Sequence, residues 1–455
     1  MMTGCAKPTE STSREEITVK PAETYQVIEG FGASGAWWAQ DVGGWEDDKR
    51  DQIVRLLFNP QTGISLSIYR YNIGGGDGEN IQDPWRKTET FEVSPGEYDW
   101  SRDANAIWVM KAAQSEGVRQ FVSFANSPPA RMTLSGLTTG EKDGKSNLPA
   151  ESYDDFAQYL VDIVHHLRVD ENIPVGWISP VNEPQWDWSY LKGQEGCHYG
   201  PAEVLEVTRA LIHAIEKDNL DVKVSVFESG QWKNSQVYID KLLKDPEVAP
   251  FLDHLAIHSY WSKADDKRPV INFIGRNFPG THLWMTEWTE MKEGRDTTME
   301  SALVLANTVH EDLTLANVTS WQYWIAVSRY FYRDGLIYVN VSDHSIIQTK
   351  RLWAMGNFSR FIRPGYTRVS AETRSDDLNV TAYQSPDQTR LVVVVINNSD
   401  TPVSASINGV PPGFSQVEQF ETSNQYDLEE VYKGQSADNY TFSPESVTTL
   451  VFRLP

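Results

Sequence analysis

The sequence predicts an α/β protein, a (β/α)8 TIM barrel carrying a side antiparallel β-sandwich domain, and three observations predict it. Short β-branched or aromatic runs alternate with amphipathic helical segments eight times before about Arg363, the pattern of parallel strands joined by crossover helices. Beyond that point the helical periods stop and turn-separated strands such as Leu391–Ile396 and Val447–Phe452 follow. The 455 residues suffice for a barrel with insertions and a modest second domain.

Taken in order, residues 1–14 read as a polar N-terminal tether and residues 15–28 as a strand that joins the side domain. Residues 29–362 are expected to form the barrel and residues 363–455 the sandwich. The candidate barrel strands are Gly30–Gly35, Ile64–Asn72, Arg119–Ala125, Val175–Glu183, Val222–Glu228, His254–His258, His282–Glu287 and Thr319–Trp324. Between them, Phe156, Tyr159, Leu160, Ile163, Val164 and Leu167 mark one face of a helix over Tyr153–Arg168, with Ser152 placed to cap it. Ala302, Leu305, Ala306, Val309 and Leu313 mark another over Thr298–Ala316. In the second domain Asn397-Asn398-Ser399-Asp400 and Pro411-Pro412-Gly413 supply turns.

A formal charge of -23 repels phosphate at long range, so nucleic acid and anionic lipid surfaces are excluded as partners. No run of 18 apolar residues provides a membrane span. Cys5 and Cys197 are the only cysteines, too few for a disulfide framework. Met2-Thr3-Gly4-Cys5 resembles the end of a bacterial lipoprotein signal, and the polar run from Lys7 to Glu16 resembles the tether that follows one. A secreted, periplasmic or outer-surface protein, anchored through Cys5, is the expectation. The 16 tryptophans are the other outlier, because indole faces stack on the C–H faces of sugars as well as on core side chains.

Catalytic groups of such barrels sit at the C-terminal strand ends. Here candidate strand four ends in Asn182-Glu183-Pro184 and candidate strand seven in Thr286-Glu287-Trp288. Either glutamate alone is an ordinary loop residue. Together, brought close by barrel closure, they supply the two carboxyls that hydrolysis of a glycosidic bond with retention requires, Glu183 as general acid/base and Glu287 as nucleophile. Environment is expected to separate the two, leaving Glu287 the more acidic.

Around them Asn182 is positioned to bind a sugar hydroxyl and Tyr260 to orient the nucleophile, while Arg70 or Asn72 at the end of strand two steadies its anion. Glu228, ending strand five, is a substrate contact or a structural partner, and His258 a donor in the site or a satisfied core histidine. Trp324 at the end of strand eight is placed as a floor under the reacting sugar. Trp37, Trp38, Trp186, Trp188, Trp232, Trp261 and Trp288 fall in rim loops, where about half are expected to line a groove and half to pack. No His/Cys set has metal-ligand spacing, so neither metal nor cofactor is expected.

Over nearly its whole length the chain resembles glycoside hydrolase family 30, a branch of the retaining barrel glycosidases of clan A. The resemblance rests on Glu29-Gly30-Phe31-Gly32-Ala33-Ser34-Gly35, Ser127-Pro128-Pro129-Ala130, Asn182-Glu183-Pro184, His258-Ser259-Tyr260, Thr286-Glu287-Trp288 and the hinge Gly356-Asn357-Phe358-Ser359-Arg360-Phe361-Ile362-Arg363-Pro364-Gly365. It implies an acid/base at Glu183, a nucleophile at Glu287 and a side sandwich built from both chain ends. Such enzymes attack glucosylceramide, β-1,6-glucans, β-1,6-galactans, xylans or fucosides. Trp37-Trp38 resembles the β-1,6-galactanase branch, whereas Phe124-Ala125-Asn126 before the Pro-Pro pair, and Arg131 after it, depart from the tryptophan often found there. The expected substrate is β-1,6-galactan, as in arabinogalactan side chains. A β-1,6-glucanase, β-glucosidase or xylanase on the same scaffold, or a non-catalytic carbohydrate-binding protein, are the alternatives.

Overall fold

The computed structural model describes residues 15–76, 81–140, 143 and 145–455, so the lipoprotein-like Cys5 lies outside the described residues. Its barrel strands, one to eight, are Gly30–Ser34, Ile68–Ile73, Gln120–Ala125, Val175–Ser179, Lys223–Ser229, Leu252–Ile257, Leu283–Met285 and Ser320–Ser328. They pair in parallel in that order, and Met285 opposite Trp321 joins strand seven to strand eight and closes the ring. Strand two starts later than its apolar run: Ile64 and Leu66 are buried, but Ser65 has φ 56°, so the chain turns before the ladder begins. Beyond strand eight the sheet continues through Gly335–Asn340 and a hairpin partner, Ser345–Gln348, two strands that no alternation in the sequence announces.

The helix Tyr153–Val169 buries Phe156, Tyr159, Leu160, Ile163, Val164 and Leu167, the stripe its spacing dictates. Ser152 does not cap it. A 3-10 turn over Ala150–Ser152 runs straight into the helix and leaves Ser152 at ψ 0°, so its hydroxyl makes no cap bond. Thr298 does cap Met299–Leu315, accepting from the Glu300 amide at 3.3 Å. No helix among the described residues is long and apolar enough to cross a membrane.

The second domain is one nine-stranded sheet folded over its own core. It is not wholly antiparallel. Glu15–Val27 pairs antiparallel with Thr367–Thr373 on one side and parallel with Val403–Asn408 on the other, because a strand arriving from the far end of the chain is free of hairpin geometry. Strand Arg390–Asn397 is apolar on both faces: Leu391, Val393 and Val395 enter the inner core with Ile17 and Phe452, while Val392, Val394 and Ile396 join the core shared with the barrel. The joint is fastened by Asn357, whose side chain donates to Thr449 Oγ1 at 3.0 Å while its carbonyl accepts from the same hydroxyl at 2.7 Å.

Candidate active site

The strand ends deliver their side chains to one cluster. Strand four stops at Ser179, and Pro180, lacking an N–H, cannot continue its ladder. The chain then bends so that Glu183 takes φ 45°, its amide donating to the Glu228 carbonyl at 2.8 Å and its carbonyl accepting from Trp188 Nε1 at 2.8 Å. Glu228 has φ 55°, and Trp188, Trp261 and Met291 are also left-handed. Such strain in non-glycine residues persists where the surroundings over-determine the backbone, as they do at functional sites.

Glu183 and Glu287 present carboxylate oxygens within 4.8 Å of each other, with a His258 ring nitrogen inside the same span. Arg70, fully buried, donates from Nη1 to Glu287 at 2.7 Å and from Nη2 to Asn182 Oδ1 at 2.9 Å, and its guanidinium carbon lies 3.5 Å over the Phe124 ring. Tyr260 Oη donates to Glu287 at 3.1 Å. His258 spans Glu183 at 3.2 Å and Glu228 at 3.1 Å. Glu228 is wholly buried, held by Arg70, His258 and the Thr286 hydroxyl, so it is a structural partner and not a wall of the cleft. Three donors this close would suit a cation elsewhere, but Arg70 already occupies Glu287 and would repel one.

Electrostatics follow from this crowding. Burial opposes the charge on His258, yet Glu287, Glu183 and Glu228 outweigh it and push the imidazole up to about 9. Burial likewise opposes ionisation of Glu228, but Arg70, His258 and Thr286 win and hold it down at about 2. Glu287 departs from its expected acidity. Burial raises it above the ordinary carboxyl value, the largest of several effects, against the pull of His258 and Arg70. A folded-state value of about 9 for His258, above its ordinary 6.5, means a stabilisation present below that ordinary value and lost as pH rises through about 9. Denaturant melts are expected to show roughly 3 kcal/mol less stability above about pH 9 than near pH 6.5. A flat profile across that window would contradict the arrangement.

A cavity of about 310 Å³ opens above Glu183 and Glu287. Trp37 and Trp324 meet edge to face at 5.2 Å on one side, and Trp186 and Trp261 do so at 6.1 Å on the other. Asn182, Tyr260 and Trp188 also reach it. Other expected wall residues lie elsewhere. Trp38 is buried in the core with its Nε1 on the Ser34 carbonyl, and Trp232 is buried with its Nε1 on Ser259 Oγ. Trp288 packs against Trp321 and Tyr323, where its carbonyl accepts from the Trp324 amide at 2.9 Å. In each case the indole fills core space that its neighbours leave. Asn72 does not touch Glu287; it accepts from Asn126 Nδ2 at 3.2 Å, and Asn126 reaches the cavity. Asn126, Lys192, Gln194 and Met291 line the cavity without having been singled out from sequence. Asn126 directly follows strand three and is legible by that position; Lys192, at the end of a short 3-10 turn, and Gln194 and Met291, on loops, have no periodic signal.

Gly230 sets the tolerance of the acid side. A Cβ there would lie 2.6 Å from both Glu183 Oε1 and Trp186 Nε1. Gly230→Ala is therefore expected to displace Glu183 and cut kcat by on the order of 100-fold while the fold survives. Steady-state kinetics beside circular dichroism checks it, and wild-type turnover would refute it.

The profile of O-Glycosyl hydrolase family 30 matches residues 14–242 and 249–338, and that of the glycosyl hydrolase family 30 beta sandwich domain matches residues 365–450. The chain belongs to glycoside hydrolase family 30. It is an O-glycosyl hydrolase with a carbohydrate substrate, built as the barrel and side β-sandwich of that family. Among similar proteins, an endo-beta-1,6-galactanase of Hypocrea rufa is 24% identical over 84% of this chain and 81% of its own. A glucuronoxylanase of Bacillus subtilis (strain 168) is 25% identical over 97% of this chain and 93% of its own. A conserved exported protein from Bacteroides fragilis superposes with a TM-score of 0.87 at 28% identity, covering 96% of this chain and 100% of that one.

Proposed function

We propose that the protein is a retaining β-glycan hydrolase working by double displacement, with Glu287 as nucleophile and Glu183 as general acid/base. The observation that carries this is the closeness of the pair, one oxygen of each within 4.8 Å of the other, which agrees with the roughly 5–5.5 Å between the carboxyls of retaining pairs and falls short of the roughly 6.5–9.5 Å across which an inverting enzyme seats a water. Charge supports the same roles. Three glutamates, Glu183, Glu228 and Glu287, face two cations, Arg70 and His258. Arg70 and Tyr260 both donate to Glu287, steadying the carboxylate that attacks, whereas Glu183 is bonded to His258 and stands beside Trp186 across Gly230.

In the first step Glu287 forms a bond to the anomeric carbon as the glycosidic C–O bond breaks, and the Glu183 proton passes to the departing oxygen. In the second a water attacks the same carbon and gives its proton to Glu183. The Glu287 ester breaks and the sugar leaves with its configuration kept. NMR of the first-formed anomer tests this, and inversion would overturn it.

The preferred substrate of this reading is β-1,6-galactan. Trp37 on the cleft wall and the Hypocrea rufa galactanase support it. The Bacillus subtilis glucuronoxylanase, matched over more of the chain, supports xylan as the second reading. Turnover on galactan, β-1,6-glucan and xylan side by side decides, and a preference for either of the last two would displace the first. Export with lipidation at Cys5 belongs to the same reading; labelling of wild type but not of Cys5→Ala by a fatty-acid analogue tests it.

A further inference from the structure

The two ends of the cleft differ. Near Trp37 several loops are tied together. Arg86 lies 4.7 Å over the Trp37 ring, donates from Nε to Tyr330 Oη at 3.2 Å and from Nη1 to Gln194 Oε1 at 3.4 Å. Tyr330 Oη donates to Asp83 at 2.8 Å, and Arg329 pairs with the same carboxylate. Asp83 also accepts from the Trp85 amide at 3.0 Å, and Gln40 Nε2 donates to the Trp85 and Lys87 carbonyls at 2.9 and 2.6 Å, so the short turn carrying Arg86 is held at its base. Loops following strands one, two, four and eight thus meet in one polar bridge at this end of the cavity, all within the described residues.

Among the described residues, the opposite end has no such bridge. Trp261 and Met291 border both the catalytic cavity and a second surface groove that continues past Trp288 and Val304. Both residues thus belong to the two openings at once, and Trp261 is 59% exposed. An indole this open sacrifices burial, which a stacking ligand would restore.

Orientation follows from the carboxylates. The leaving oxygen must sit beside the acid Glu183, whose neighbour across Gly230 is Trp186, itself against Trp261. The departing part of the chain therefore runs toward Trp261, and the part held on the enzyme points toward Trp37 and the Arg86 bridge. The geometry points to an enzyme that works from the non-reducing end of its polymer. The Arg86 bridge limits how many sugars fit on the glycone side, and Trp261 with the groove beyond it carries the leaving chain. This rests on the roles proposed for Glu183 and Glu287.

The test is the product pattern on whichever of the three polymers is cut best, with oligosaccharides of that polymer labelled at the reducing end. Wild type is expected to release one short product of fixed length from the earliest times, the label staying on the shrinking remainder. A ladder of internal fragments at early times would overturn the proposal. Arg86→Ala, with Tyr330→Phe as the milder variant, is expected to lengthen and broaden the products; patterns unchanged in both would overturn the role of the bridge. Trp261→Ala is expected to raise KM about tenfold more for polymer than for an aryl monoglycoside, and equal changes would remove it from the leaving-chain path. Substrate preference and product length are read separately, so the choice of polymer can fail while the closed end stands, and the reverse.

Discussion

Glu287→Gln is expected to lower kcat by on the order of 10⁴-fold or more on every substrate, because the amide can neither attack the anomeric carbon nor balance Arg70. Glu183→Gln is expected to behave differently. Proton transfer is worth about 10²–10⁴-fold when the leaving group is a poor one, so turnover of polymer should collapse while an activated aryl glycoside still forms the glycosyl-enzyme and then stalls at its hydrolysis. A burst of phenol followed by slow turnover is the readout. Similar losses on both substrate types for Glu183→Gln, or near-normal turnover for Glu287→Gln, would exchange or remove the assigned roles.

The second large effect belongs to Arg70. It is fully buried and meets Glu287, Glu228 and Asn182 with its two terminal nitrogens. Arg70→Met removes the cation and leaves buried carboxylates facing each other, a change that costs roughly 3–5 kcal/mol. The variant is expected to unfold at markedly lower urea and to be inactive. Arg70 also holds Glu228 at about 2 against burial, so without it that carboxyl titrates higher. The stability deficit should therefore shrink as pH falls and Glu228 takes up a proton. A deficit independent of pH, or wild-type stability, would show that Arg70 contributes packing and not charge.

The barrel was legible because its signals are periodic. Eight apolar runs alternate with helical stripes such as that of Tyr153–Val169. The positions of Glu183, Glu287, Arg70, Tyr260 and His258 were legible for a related reason: a charged or polar residue in or just past the C-terminal half of a buried run is placed by the ring that the runs form. Tryptophans resisted the same reading. Trp37 and Trp38 are adjacent in sequence, yet Trp37 reaches the cavity while Trp38 is buried, a difference set by tertiary packing and not by residue type. The direction of Glu287's acidity was missed because desolvation depends on how completely neighbours enclose the group, which sequence does not display. The bridge through Asp83, Arg86 and Tyr330 joins three loop residues with no common period.

The strand Glu15–Val27 finds its antiparallel partner at Thr367–Thr373, about 350 residues downstream. On a growing chain it has no sheet to join until almost everything else has been made, and until then it presents unpaired N–H and C=O groups. The side sheet is thus the last part of the molecule able to close, and a contact of this separation is slow to find. A chain cut short within the second domain would strand its own first segment as an open edge, the kind of surface on which one copy adds to another. For this fold, completeness at the C-terminal side protects the N-terminal side from aggregation.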